Sequence, residues 1–195
     1  MRALVIVAHP VAGSFTHAAA EAAVTGLRAA GHEVEVSDLY AIGFRAAMSA
    51  DERRAYHSGQ PVLDPLVATQ VDLVTSAGIL VFVYPTWWSG LPAILKGWLE
   101  RVMVENVGFR FNRRRKVRPA LTNVRQIVGI STYGSPRLYV SAINDNGRRI
   151  LTRALRLSTG WRTRRTWLAL YAMDTTTVEE RTAFLERIRT RVAAM

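Results

Sequence analysis

VFVYPTWWSGLPAILKGWLERV, residues Val81–Val102, reads as a strand, a loop and a helix in succession. The apolar run Ile79 to Tyr84 is rich in β-branched and aromatic residues and has the length of a strand buried on both faces of a parallel sheet. Pro85 ends it. Helical periodicity follows, with Leu91, Leu95, Trp98, Leu99 and Val102 on one face and Lys96, Glu100 and Arg101 on the other. Pro92 suits the first helical turn, where its missing N–H costs nothing. Between strand and helix lies the loop Pro85 to Gly90, at the carboxyl end of a strand, where ligands bind in open α/β sheets. Its two adjacent tryptophans, Trp87 and Trp88, either pack under the following helix or face a ligand.

Working outward, RALVIVA (residues 2–8) reads as a first buried strand ending at His9-Pro10. After a four-residue loop, Phe15, Ala18, Ala19, Ala22, Ala23 and Leu27 share a helical face, closed by Gly31. Ser14 is the N-cap of this helix by residue type. A helix starting at the carboxyl end of strand one points unpaired N–H groups at that edge, which is an anion site. His9 either adds a donor to an anion there or takes a partner within its own loop.

EVEVSD (residues 33–38) alternates as a second strand. A polar connection from Leu39 to Pro65 contains a short helix over Met48 to Tyr56, and Leu66 to Ser76 reads as a helix. Beyond the central stretch, Gly108 to Pro119 is an irregular excursion carrying Arg113, Arg114, Arg115, Lys116 and Arg118. Gln126 to Ser131 is a fourth strand, followed by the loop Thr132 to Pro136. A helix over Ala142 to Leu157, a fifth strand over Arg164 to Tyr171 and a final helix over Val178 to Val192 complete the chain. On that last helix Phe184, Leu185, Ile188 and Val192 point inward.

The chain of 195 residues is read as one domain, 1–195, long enough to bury roughly 70% of its unfolded surface. It is 49% hydrophobic and 21% charged and contains no cysteine, which removes thiolate catalysis and Cys-based metal sites; no metal is expected. No segment has the length of a membrane span, and the first apolar run is too short for a signal peptide, so a cytoplasmic protein is expected. The net charge of +11 raises nucleic-acid binding. The one dense basic cluster lacks interleaved aromatics for stacking on bases, which weighs against it.

Strands alternating with helices give an α/β fold with a parallel sheet covered on both faces. Three loops then share one edge: His9 to Ser14, Pro85 to Gly90 and Thr132 to Pro136. An anion-binding helix terminus, an aromatic loop and a small-polar loop together suit a ligand with a phosphate tail and a flat ring.

Three blocks resemble the flavodoxin-like NAD(P)H:quinone reductases of the DT-diaphorase and potassium-efflux-associated type. They are AHPVAGSF (8–15), YPTWWSGLPAILKGWLERV (84–102) with Gly108-Phe109, and STYG (131–134) with Tyr139. The resemblance implies a three-layer flavodoxin-like sandwich, its five-stranded parallel sheet ordered 2-1-3-4-5, with flavin at the carboxyl edge. It places His9, Ser14, Phe15 and Thr16 at the flavin phosphate and ribityl end, and Pro85, Thr86, Trp87 and Trp88 along the ring. Thr132, Tyr133 and Gly134 close the other side. Tyr139 matches a tyrosine that steadies charge during hydride transfer.

By this resemblance the cofactor is FMN, with FAD as the alternative. The activity is two-electron transfer from NADPH or NADH through flavin to a quinone or similar electrophile, and the assembly is a homodimer. A flavin-binding regulatory subunit of a transporter and a flavodoxin-like electron carrier are the competing readings. The sequence departs from the family in three places. Asp145 stands where some members have a histidine, Tyr133 replaces a glycine and would crowd or cover the pocket, and Ser89 replaces an aromatic.

Overall fold

The computed structural model describes residues 1–195. Its sheet is built outward from β3 (Ile79–Pro85), every residue of which is buried. β1 (Arg2–Val7) and β6 (Gln126–Thr132) flank β3, and β2 (Glu33–Asp38) and β7 (Arg164–Leu170) form the edges. The order is β2-β1-β3-β6-β7 and every pairing is parallel. Because a small hairpin takes the labels β4 and β5, this is the expected 2-1-3-4-5 arrangement of the five main strands.

Side chains alternate across the sheet with period two, so each strand feeds two cores. Leu4, Ile6, Leu80, Phe82 and Tyr84 face α3 (Pro65–Ser76) and α4 (Ala93–Val102). Val5, Val7, Val81, Val83 and Val128 face α1 (Phe15–Ala29) and α8 (Val178–Ala193). Helices on both faces make three layers. Phe184, Ile188 and Val192 are buried as the final helix's periodicity requires, and Leu185 packs half-buried beside them. No helix is long and apolar enough to cross a membrane.

The connection after β2 folds as α2 (Ala50–Ala55), started by a capping box in which Ser49 and Glu52 satisfy each other's backbone N–H groups. The loop ahead of it lies directly on α4: a Cβ added at Gly97 would sit 2.2 Å from the Ala46 carbonyl oxygen, so only glycine permits that approach.

Four local expectations change. Pro92 is the N-cap of α4 rather than a residue of its first turn; its carbonyl accepts from Leu95 and Lys96. Arg101, assigned to the polar face, is buried and bound to Glu52 and Asp64. The excursion after α4 is a hairpin, β4 (Phe109–Phe111) against β5 (Val117–Pro119), pairing Phe109 with Pro119. Finally, the helix expected over Ala142 to Leu157 starts earlier and breaks. α5 (Arg137–Ala142) ends at a kink where Asn144 and Asp145 both have left-handed φ, +80° and +40°. α6 (Asn146–Arg149), a π turn (Ile150–Ala154) and α7 (Leu155–Thr159) follow it without interruption.

Candidate active site at the carboxyl edge

The loop after β1 and the start of α1 form the first half of the site. Ser14 has the extended backbone of an N-cap (φ −64°, ψ 165°), yet its hydroxyl makes no cap bond. It meets His17 Nδ1 at 2.9 Å, and His17 Nε2 meets Asp38 Oδ2 at 2.9 Å. A carboxylate only accepts, so Nε2 donates to Asp38; in neutral His17, Nδ1 then accepts from the Ser14 hydroxyl. Asp38, at the end of β2, is itself fixed by the N–H groups of Tyr40 and Ala41.

Because Ser14 is spent on His17, the backbone N–H groups of Phe15 and Thr16 have no acceptor within the chain. They are free donors at the positive end of a helix of 15 residues. The Phe15 ring itself turns away and stacks on Phe184 at 6.2 Å, so its part in the site is its backbone. Thr16 is buried. His9 Nδ1 accepts from the Val11 N–H at 3.1 Å, and its ring stands 6.1 Å from Trp87 and 6.2 Å from His17.

The second half is the loop after β3. Thr86 is tied to the end of β6: its N–H donates to the Thr132 carbonyl at 2.8 Å and its hydroxyl pairs with Ser131 at 2.8 Å. Trp87 and Gly90 bond each other reciprocally across a two-residue turn. Trp88 (φ +47°) and Ser89 (φ +57°) occupy its tip. Both residues are left-handed, the geometry of a type I′ turn, which ordinarily uses Asn-Gly. Holding two non-glycine residues there costs about 1 kcal/mol or more each. Trp88 is fully exposed, so packing under α4 does not explain it.

Across from this turn lies the loop after β6. Thr86, Trp88, Ser89, Tyr133, Gly134, Ser135 and Tyr139 line a cleft of about 280 Å³. The backbone N–H groups of Trp88, Ser89, Gly134 and Ser135 have no acceptor in the chain. Tyr133 does not crowd the cleft. It is buried, stacks on Tyr171 at 4.8 Å, and donates its hydroxyl to Asp145 Oδ1 at 3.0 Å. Burial, reinforced by the Asp145 carboxylate, pushes the Tyr133 phenol far above its usual range, so it stays a donor. Asp145 is thus a positioning residue at the kink. Tyr139, on α5, is 57% exposed with no hydrogen bond from its hydroxyl, and it faces the same cleft.

The structure therefore gathers the sequence-derived residues into two adjoining groups. Ser14, Phe15 and Thr16 form the start of α1 next to the loop that carries His9, whose ring stands beside Trp87, while Thr86, Trp88, Tyr133, Gly134 and Tyr139 share the cleft. Pro85 and Thr132 are paired ends of β3 and β6 that hold the loops in register, and the Thr132 carbonyl is taken by Thr86. The sequence reading missed His17, Asp38 and Ser131. The spacing of Ser14 and His17, three residues apart in a first helical turn, was a usable signal; Asp38 and Ser131 reach the site only through strand order. No group of three or more potential metal-ligating side chains occurs.

Residues 1–192 match the Flavodoxin_2 family, described as a flavodoxin-like fold. The chain belongs to that family. It is 36% identical over 155 residues to the NAD(P)H dehydrogenase (quinone) 1 of Cavia porcellus, a match covering 71% of this chain and 55% of that protein. The Rattus norvegicus protein of the same name is 33% identical, covering 71% and 56%. This chain thus spans little more than half the length of these curated relatives. Among solved structures, an NAD(P)H:quinone oxidoreductase from Methanothermobacter marburgensis superposes with a TM-score of 0.80 at 27% identity, covering 99% of this chain and 96% of that one. Smu.1420 from Streptococcus mutans UA159 superposes at 0.85 with 25% identity, covering all of both chains.

Proposed function

We propose that this Flavodoxin_2 member is a flavin-dependent NAD(P)H oxidoreductase acting on quinones or similar electrophiles. The observation that carries the reading is the set of unspent donors at one sheet edge. Two N–H groups lie at the uncapped start of α1, and four more belong to residues that line the cleft between Trp88 and Tyr139. The relatives named as quinone dehydrogenases and oxidoreductases support the same reading.

These residues fit a flavin. The Phe15 and Thr16 N–H groups, with His9 and Ser14 beside them, would hold its phosphate, and FMN is the form proposed because this helix start provides for one phosphate group. Pro85, Thr86, Trp87 and Trp88 would lie along the ring, closed by Thr132, Tyr133 and Gly134. Bound there, the group supplies the capacity to take hydride from a reduced nicotinamide and pass two electrons to the acceptor.

The free N–H groups of the cleft are preorganised toward developing negative charge, where fixed donors cost no reorganisation. Tyr133, locked by Asp145, forms an immobile wall, and the Thr86–Ser131 pair keeps the two loops in register. The unpartnered Tyr139 hydroxyl is a side-chain donor in the same cleft, free to steady charge on the reacting pair. We place a homodimer in the same reading, supported by the exposed apolar surface of Leu157 and Trp161.

The test is an absorbance spectrum after incubation with FMN or FAD and desalting, followed by anaerobic NADPH or NADH. Retained flavin that bleaches within seconds is the expected result. Retained flavin that does not bleach would favour an electron carrier, and no retained flavin would overturn the site. In the same assay Tyr139→Phe is expected to slow bleaching about ten-fold, the value of one lost hydrogen bond of roughly 1.4 kcal/mol, with flavin retention unchanged. An unaltered bleaching rate would leave Tyr139 without a role in the chemistry.

A further inference from the structure

A second and larger cleft, about 590 Å³, opens on the far side of Asp145, between α5, the α6–α7 helix and β7. Arg137, Arg148, Arg149, Arg153 and Arg165 line it. None of the five is in an ion pair. The only acidic residue in its wall is Asp145, one of whose oxygens accepts from Tyr133. Five like charges around one cavity repel one another, and nothing in the fold neutralises them.

The cleft is built rather than incidental. Trp167 forms part of its wall, and the ring lies against Gly129 so closely that an added Cβ there would come within 2.1 Å of Cζ3. Arg148 is held over that ring, 5.9 Å from its centre. The π turn at Ile150–Ala154 lies in the helix that presents Arg148, Arg149 and Arg153, and such turns recur at functional sites.

Position selects the occupant. Val140 and Asp145 line both this cleft and the cleft between Trp88 and Tyr139, so the two adjoin. The start of α1, assigned above to the flavin phosphate, follows β1, whereas the arginines flank β7, three strand spacings or about 14 Å across the sheet. A second phosphate site on the opposite side of the aromatic turn is therefore separate from the flavin's own. Resting on the redox reading above, we infer that this cleft holds the adenosine 2′-phosphate end of the reduced dinucleotide, so that the protein prefers NADPH to NADH. A guanidinium fork matches a phosphate dianion with two parallel N–H···O bonds, whereas NADH carries only a neutral hydroxyl at that position, which offers neither the charge nor the paired oxygens.

The experiment is calorimetric titration of the flavin-loaded protein with adenosine 2′,5′-bisphosphate, 5′-AMP and inorganic phosphate. The bisphosphate is expected to bind at least ten-fold tighter than either control, more weakly as ionic strength rises. In Arg149→Ala/Arg153→Ala that preference is lost. The ratio of kcat/KM for NADPH over NADH falls by about ten-fold or more, and the visible spectrum of the retained flavin is unchanged. Equal affinity for bisphosphate and 5′-AMP, a bisphosphate no tighter than inorganic phosphate, or a preference untouched by the double substitution would each overturn the inference. Should the protein retain no flavin, the redox reading falls on its own. The same titration on the flavin-free protein then decides the cleft, because it reads heat rather than turnover.

Discussion

Arg101→Ala is expected to lower the stability of the fold by about 3–5 kcal/mol, the cost of leaving a buried carboxylate without its partner. At about 2–4 °C per kcal/mol for a chain of this size, thermal unfolding should move down by roughly 6–20 °C. Arg101 is 3% exposed. Its guanidinium donates to Glu52 Oε1 at 2.9 and 2.6 Å, to Asp64 Oδ2 at 2.7 Å and to the Arg45 carbonyl at 2.6 Å, over the Phe44 ring. One side chain thus clamps the 39–49 loop, α2 and the start of α3 onto α4.

The pH dependence follows from the carboxylates. Burial acts to raise the Glu52 pKa, but the Ser49 N–H and Arg101 outweigh it and hold the group below its usual range. Asp64 is held low chiefly by Arg101. Depressed folded-state values mean that this stabilisation is complete above the unfolded carboxylate pKa near 4 and is lost as pH falls through the folded values. The gap between parent and variant should therefore be widest near neutral pH and narrow below about pH 4. Denaturant unfolding at several pH values reads this directly, and a gap constant with pH would show that the clamp works by packing alone.

Ser14→Asp is expected to separate binding from stability by moving them in opposite directions. An aspartate at this N-cap, where Ser14 makes no cap bond, would accept from the first-turn N–H groups and favour the flavin-free helix by a fraction of about 1 kcal/mol. The same carboxylate would take the donors assigned to phosphate and set like charge against it. Two unit charges 4 Å apart repel by about 4 kcal/mol at an effective dielectric of 20. Even half of that weakens binding by more than ten-fold, and about 100-fold is the expected loss. Flavin occupancy after desalting and the melting temperature of the flavin-free protein are the two measurements. Full occupancy in the variant would remove the anion-site assignment.

Much of this fold was legible in the chain. The buried runs of β1, β3 and β6, the alternation of β2 and the helical faces of α1, α4 and α8 are written in residue spacing. Spacing depends on local geometry that does not wait for tertiary contacts. The kink at Asn144-Asp145 was not read, because a left-handed pair inside a helical pattern is favoured here by a bond from Tyr133, twelve residues earlier. Arg101 was misread for a similar reason. Periodicity assigns a charged residue to the solvent face, and only the arrival of Glu52 and Asp64 from elsewhere in the chain makes its burial tolerable.

The site divides in the same way. By itself the sequence determined an α/β fold with three chemically distinct loops at strand ends, and it marked His9, Ser14, the Trp87-Trp88 pair and Tyr139 within or beside them. Only the tertiary structure decided that Ser14 is spent on His17, which frees the helix N–H groups, and that Tyr133 lies in the cleft wall, held by Asp145 and Tyr171, rather than projecting across it. It alone gathered five arginines, spread from Arg137 to Arg165, around one cavity. Hydrogen-bond partners and shared cavities are settled by which strands lie side by side, and strand order is a property of packing that no local stretch of sequence contains.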